Sequence, residues 1–118
     1  MNQKGGIVEI NLEQGMPLCD QAIRRLTWEL KTARRLGVSG PVKLIHGYGS
    51  SGTGGRLRVE VRKYLESQKR RKEISGYITG EDFTIFDLPT QQALRKYPAL
   101  SGDRDLNRSN NGITIVIL

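Results

Sequence analysis

The stretch "PVKLIHGYGSSGTGGRLRVEVRKYL", residues 41–65, changes character twice. Its first seven residues are an apolar, partly β-branched run that reads as a strand over 41–47. His46 to Gly55 then holds five glycines, the hydroxyl residues Ser50, Ser51 and Thr53, and the chain's only histidine. Beyond Gly55, Leu57, Val61, Tyr64, Leu65 and Gln68 recur at helical spacing, which predicts a helix over 55–72 with arginine and lysine on its exposed side. Strand, glycine loop and helix in that order form the unit from which α/β folds are built.

The flanks extend the pattern. "GIVEINL" (6–12) alternates apolar and polar residues and predicts a half-buried strand. Ile23, Leu26, Leu30 and Ala33 mark an amphipathic helix over 18–36, ended by Gly37. "ISGYITG" (74–80) predicts a third strand, "PTQQALRKY" (89–97) a short helix with Pro89 in its first turn, and "ITIVIL" (113–118) a closing strand. The order β-α-β-α-β-(α)-β predicts an α/β two-layer sandwich in one domain spanning 1–118. Right-handed crossovers make neighbouring strands parallel, with both long helices on one face. The opposite face is then open or covered by the 80–111 segment. Trp28 and Tyr64 fall in or beside the packing stripes and are expected in or near the core.

At 118 residues the chain is long enough to bury a core without staples. Cys19 has no partner for a disulfide, which favours a reducing compartment, the cytoplasm. No run approaches the ~20 apolar residues of a membrane span, and the N-terminus lacks a signal-peptide core. The net charge is +7, and the excess is concentrated. Arg56, Arg58, Arg62, Lys63, Lys69, Arg70, Arg71 and Lys72 are opposed in their window by Glu60 and Glu66 alone. Such a sector attracts polyanions, nucleic acid above all.

Gly47, Gly49 and Gly52 spell G-x-G-x-x-G between strand and helix, a setting in which free backbone N–H groups receive an anion. A dinucleotide site needs an acid ~20 residues on, at the end of the next strand. Glu81 and Asp82 come about 29 residues after Gly52, and no second nucleotide-binding half fits. An ATP loop needs Lys-Ser/Thr after its last glycine, and Thr53-Gly54 stands there. The loop runs straight into Arg56, Arg58, Arg62 and Lys63, which suits a repeating sugar-phosphate backbone.

His46-Gly47-Tyr48-Gly49, Thr53-Gly54 and Leu57-Arg58, with the closing "NNGITIVIL", resemble the Smr (small MutS-related) domain family. The resemblance covers about 7–79 and 112–118. It implies a sandwich similar to the C-terminal half of translation initiation factor three, and DNA or RNA as partner. It further implies, in many members, DNA nicking or RNA endonuclease activity, some of it on ribosomes. Many members close the first strand with Leu-Asp-x-His-Gly. Here Ile10-Asn11-Leu12-Glu13-Gln14-Gly15 has asparagine for the acid and no histidine, so the nuclease motif does not carry over.

The residues expected to grip the backbone are His46, Gly47, Tyr48, Gly49, Gly52, Thr53, Gly54, Arg56, Arg58, Arg62, Lys63 and Lys69. Tyr48, at the loop tip, is the better base-stacking candidate than Trp28 or Tyr64. His46 and Glu13 are the candidates for catalysis, with bracing of the turn the favoured role of the imidazole. A single histidine allows no His–His metal pair, and Ser50 and Ser51 have no triad. Asp103, Asp105 and Asn107 imitate a calcium loop, but Arg108 and Thr114 occupy its glycine and glutamate positions. Glu81, Asp82 and Asp87 could hold Mg²⁺ if the 80–111 insertion folds towards the glycine loop; solvated loop acids are the favoured reading, and no metal site is assigned. No cofactor is expected, Mg²⁺ entering only with nuclease activity. The expected protein is a cytoplasmic monomer that binds DNA or RNA and no membrane, with ribosome association one setting for it. An endonuclease, or a module that docks on a ribosomal or repair protein, is the alternative.

Overall fold

The computed structural model describes residues 2–4, 7–15, 17–47 and 54–118. Strand β2 (Ile7–Asn11) is followed by helix α1 (Cys19–Arg35), strand β3 (Pro41–Ile45) and helix α2 (Gly54–Arg70). Strand β4 (Gly76–Thr79), helix α3 (Leu88–Lys96) and strand β5 (Ile113–Ile117) complete the expected order. A further strand, β1 (Asn2–Lys4), pairs antiparallel with β2 and adds an edge. Its residues are Asn, Gln and Lys, so it carries no hydrophobic period by which a sequence reveals a strand.

The sheet order is β1-β2-β3-β5-β4. β2 and β3 are parallel, Val8 beside Val42 and Ile10 beside Leu44, as the crossover through α1 requires. The next crossover does not bring β4 against β3. β5 inserts between them and pairs antiparallel with both.

Alternation along the strands sorts side chains onto two faces. Val8, Ile10, Val42, Leu44 and Val116 pack under Leu26 and Leu30 of α1 and Leu57, Val61 and Leu65 of α2. Each fully buried leucine here contributes roughly 1.5–3 kcal/mol. Cys19 is a free thiol in the same cluster. On the other face Ile7, Ile78, Ile113 and Ile115 pack with Phe83, Ala93 and Leu100. The two-layer α/β core thus has both long helices on one face, and the 80–111 segment covers the other.

Helix ends follow local chemistry. Gly37 has φ +75°, its N–H donates to the Arg34 carbonyl, and the Val38 N–H donates to that of Ala33. Together these form a complete Schellman stop. α2 ends in the same motif, with Lys72 at φ 61° in the glycine position. Asp87 caps α3 by accepting from the Thr90 N–H and hydroxyl at 3.1 and 2.8 Å. Trp28 departs from the expected core placement: it is 63% exposed, because it lies on the side of α1 opposite Leu26 and Leu30. Tyr64 is half-buried against the helix-side core.

Candidate nucleic-acid interface

The C-terminal ends of β2, β3 and β4 lie along one rim of the sheet, where ligands of open α/β sheets bind. Backbone bonds draw the rim together. The Leu12 N–H donates to the Ile45 carbonyl at 2.8 Å, and the His46 and Gly47 N–H groups both donate to the Gly112 carbonyl at 3.0 Å. The strand-to-helix junction therefore leaves the sheet from a fixed point beside the start of β5.

His46 continues the helix-facing register of Val42 and Leu44 and is 0% exposed. Its Nδ1 lies 2.8 Å from the Gly47 carbonyl, which can only accept, so Nδ1 carries the proton. Nε2 is then a lone pair that accepts from the Thr114 hydroxyl at 2.8 Å. Burial, above all, lowers the imidazole pKa to about 4; the Gly47 bond opposes this, and the Arg62 and Arg58 charges add to it. At neutral pH His46 is a neutral, fully bonded brace between β5 and the loop.

Gly47 has φ +77°, and a Cβ there would collide with the Glu13 carboxylate. The positive φ favours glycine here, while the exposed Glu13 carboxylate is the flexible end of a side chain that can swing aside. The same contact brings Glu13, from the turn after β2, against the loop. Asn11, the asparagine at the acid position of the first-strand motif, serves locally. Its Oδ1 accepts from the Glu13 N–H at 2.9 Å and closes that turn.

The basic helix divides into two stripes. Arg56, Lys63 and Arg70 recur every seven residues, two helical turns, on the outermost side of α2, and all three are exposed. Lys63 approaches Glu60 at 3.9 Å in an exposed contact worth little. Arg58, Arg62 and Lys69 form the flank towards β4. Arg58 is half-exposed and acts electrostatically on both His46 and Glu81. Lys69 is exposed in the last turn.

Arg62, expected on the nucleic acid, is engaged within the protein. Its guanidinium forks onto Glu81 with contacts of 2.9 and 2.7 Å, and its Nε lies 3.4 Å from the Thr114 hydroxyl. These Arg62 bonds hold the Glu81 carboxyl below its usual range, against the opposing effect of partial burial. Arg62 thus links α2, β5 and the turn after β4. Gly54 opens α2. Tyr48, Gly49, Gly52 and Thr53 lie outside the described residues.

The strand order and the covered second face can be set against known structures. The Smr domain of Thermus thermophilus MutS2 matches over 94% of this chain and 96% of that chain, with a TM-score of 0.56 and 22% identity. The chain has the Smr fold. No family model matches the chain, and no curated protein matches it closely.

Sequence reasoning missed one polar cluster beneath this segment. Lys43, 1% exposed, points from β3 to the covered face, where its Nζ lies 3.0 and 3.2 Å from the Asp103 oxygens and also pairs with Asp105. The aspartates of the calcium-like spacing are thus spent on a lysine. The signal was present: a lone lysine inside the otherwise apolar "PVKLI". Among the described residues no group of three or more His, Cys, Asp or Glu side chains converges, and no helix is long and apolar enough to cross a membrane.

Proposed function

We propose that this protein binds DNA or RNA through its sugar-phosphate backbone. The β3–α2 junction, the exposed cations Arg56, Lys63 and Lys69 and the half-exposed Arg58 would form the grip. The carrying observation is the hydrogen-bonded exit from β3 at His46 and Gly47, followed in the chain by a helix whose outer stripe is cationic. Oriented amides and flexible cations suit phosphates, and contacts to phosphates carry no base code. The reading places the protein in the cytoplasm as a monomer, where ribosome-bound RNA is one substrate setting. Anisotropy titration of labelled duplex DNA and structured RNA across a salt series tests it. Log affinity should fall with log salt at about −0.9 per duplex phosphate neutralised, and Arg56→Ala with Arg58→Ala and Lys63→Ala should flatten the slope by two to three such units. Salt-independent binding, or an unchanged slope in the triple variant, refutes it.

A second reading, phosphodiester cleavage, is favoured by one contact, the Glu13 carboxylate against Gly47. Glu13 is exposed and able to reach a bound backbone, whereas the His46 ring is enclosed and fully bonded. Incubation with supercoiled plasmid and structured RNA, with and without Mg²⁺, decides. Cleavage lost in Glu13→Gln supports an enzyme, and intact substrates leave a binding protein. A protein-docking role would instead give partner capture insensitive to nuclease treatment.

A further inference from the structure

The proposed backbone grip leaves unused a second surface on the same side of the sheet. Trp28 is the chain's only tryptophan and is 63% exposed. A lone exposed aromatic is ordinary. What sets Trp28 apart is its surroundings on α1. At about 100° per residue, Arg24, Arg25, Lys31 and Arg35 all fall within about 60° of Trp28 around the helix, and no carboxylate does. Asp20 and Glu29 lie outside that stripe. Arg25 is partly occupied, donating to the Asn11 carbonyl at 2.9 Å. Arg24 meets Asp20 at 3.8 Å in a solvent-exposed contact of little strength. Lys31 and Arg35 are exposed.

We propose that this stripe of α1 binds a single-stranded nucleic-acid segment, one unpaired base stacking on Trp28 while Arg24, Lys31 and Arg35 meet the flanking phosphates. The proposal rests on the nucleic-acid reading above and extends it to unpaired strands. An exposed indole in a cationic stripe is the combination that single strands use: phosphates track the charges, and any base offers a π-face. Duplex ends aside, paired bases are already stacked and have no face to offer. The dimensions agree. Arg24 and Arg35 are about 16 Å apart along the axis at 1.5 Å per residue. A stacked strand rises about 3.4 Å per nucleotide, so the stripe spans about five nucleotides. Arg24 and Arg56 also line one groove between α1 and α2, with Asp20 and Glu60 beside them, so the two surfaces adjoin there.

Because Trp28 is the sole tryptophan, its fluorescence reports the contact directly. The experiment titrates wild-type protein with an oligothymidylate of about ten nucleotides at low salt, the length being twice the span of the stripe. A loop-free duplex of matched charge, formed from two fully complementary strands, is the control. Quenching of Trp28 emission by the single strand is expected. Trp28→Ala should weaken single-strand binding about 5- to 150-fold, the range of one lost base–aromatic stack, and leave duplex binding unchanged. Trp28→Phe should recover most of the loss. A thermal melt confirms that these surface variants fold. Salt-sensitive oligonucleotide binding with unchanged emission and a neutral Trp28→Ala overturns the proposal while leaving the backbone reading intact. Equal weakening of single strand and duplex overturns it as well, since stacking predicts a difference. Binding of neither nucleic acid overturns both, and a protein partner then becomes the occupant of this face.

Discussion

Lys43→Met tests how the covered face of the sheet is held. Lys43 is 1% exposed, and the side chains of its partners Asp103 and Asp105 are 9% and 11% exposed. The Asp103 Oδ1 also accepts from the Asp105 N–H at 2.9 Å, and Asp105 accepts from the Asn110 amide at 3.0 Å. Burial alone would push the Asp105 carboxyl up, but the Asn110 and Lys43 bonds outweigh it and hold the group below its usual value. Removing the ammonium leaves two carboxylates facing each other out of water, a change that costs about 3–5 kcal/mol. For 118 residues at roughly 2.1 cal/mol/K each, the unfolding entropy is about 0.25 kcal/mol/K, so Tm should fall by about 12–20 °C. With the Lys43 bond gone, burial should make Asp105 deprotonate less readily in the folded variant than when unfolded. The variant's deficit is largest at neutral pH and narrows as pH falls towards ~3.9. Lys43→Met combined with Asp103→Asn and Asp105→Asn removes the stranded charges and should recover most of the loss. Thermal melts by circular dichroism at pH 7 and pH 4 provide the readout. A Tm within about 4 °C of wild type, well short of the range for a broken buried pair, refutes the reasoning. A triple variant no better than the single one refutes it equally.

Four further outcomes follow from named contacts. Gly47→Ala must hold a left-handed backbone and should lower stability by about 1–3 kcal/mol in urea unfolding, with Glu13→Ala recovering little because the exposed carboxylate can swing aside. Lys72→Gly relieves the positive φ of the α2 stop and should raise stability by up to about 1 kcal/mol, read by the same measurement. His46 binds its proton less readily folded (about 4) than unfolded (6.5), so its contribution to stability is complete above pH 6.5 and lost as pH falls towards 4. At 1.36 kcal/mol per pKa unit that limb amounts to about 3 kcal/mol, and His46→Gln should flatten it in melts over this window. Glu81→Gln releases Arg62 and should strengthen duplex binding while steepening the salt slope by about 0.9, measured by anisotropy.

The sequence is most legible where one face of an element packs. The apolar stripes of α1 and α2 and the alternation of β2 place these elements to within two residues, and Gly37 and Pro89 mark two ends correctly. "ITIVIL" holds more than a closing strand. A strand with apolar residues at nearly every position is buried on both sides, which already requires a cover on the second face. Trp28 is misplaced when its position near the apolar stripe is taken without its angle around the helix. At about 100° per residue it points almost directly away from Leu26 and Leu30.

By itself, then, the sequence determined the α/β order, the helix faces and the cationic sector. These depend on local spacing, which a reader of the chain has in full. Tertiary structure alone decided that β5 inserts between β3 and β4, and which polar partners meet. His46 pairs with Thr114 across 68 residues, Lys43 with Asp103 across 60, and Arg62 with Glu81 across 19. A buried polar group must find a partner, but its identity depends on which strands become neighbours. That neighbourhood gives the only histidine its bracing partner, Thr114, and turns one arginine of the basic helix into an internal clasp.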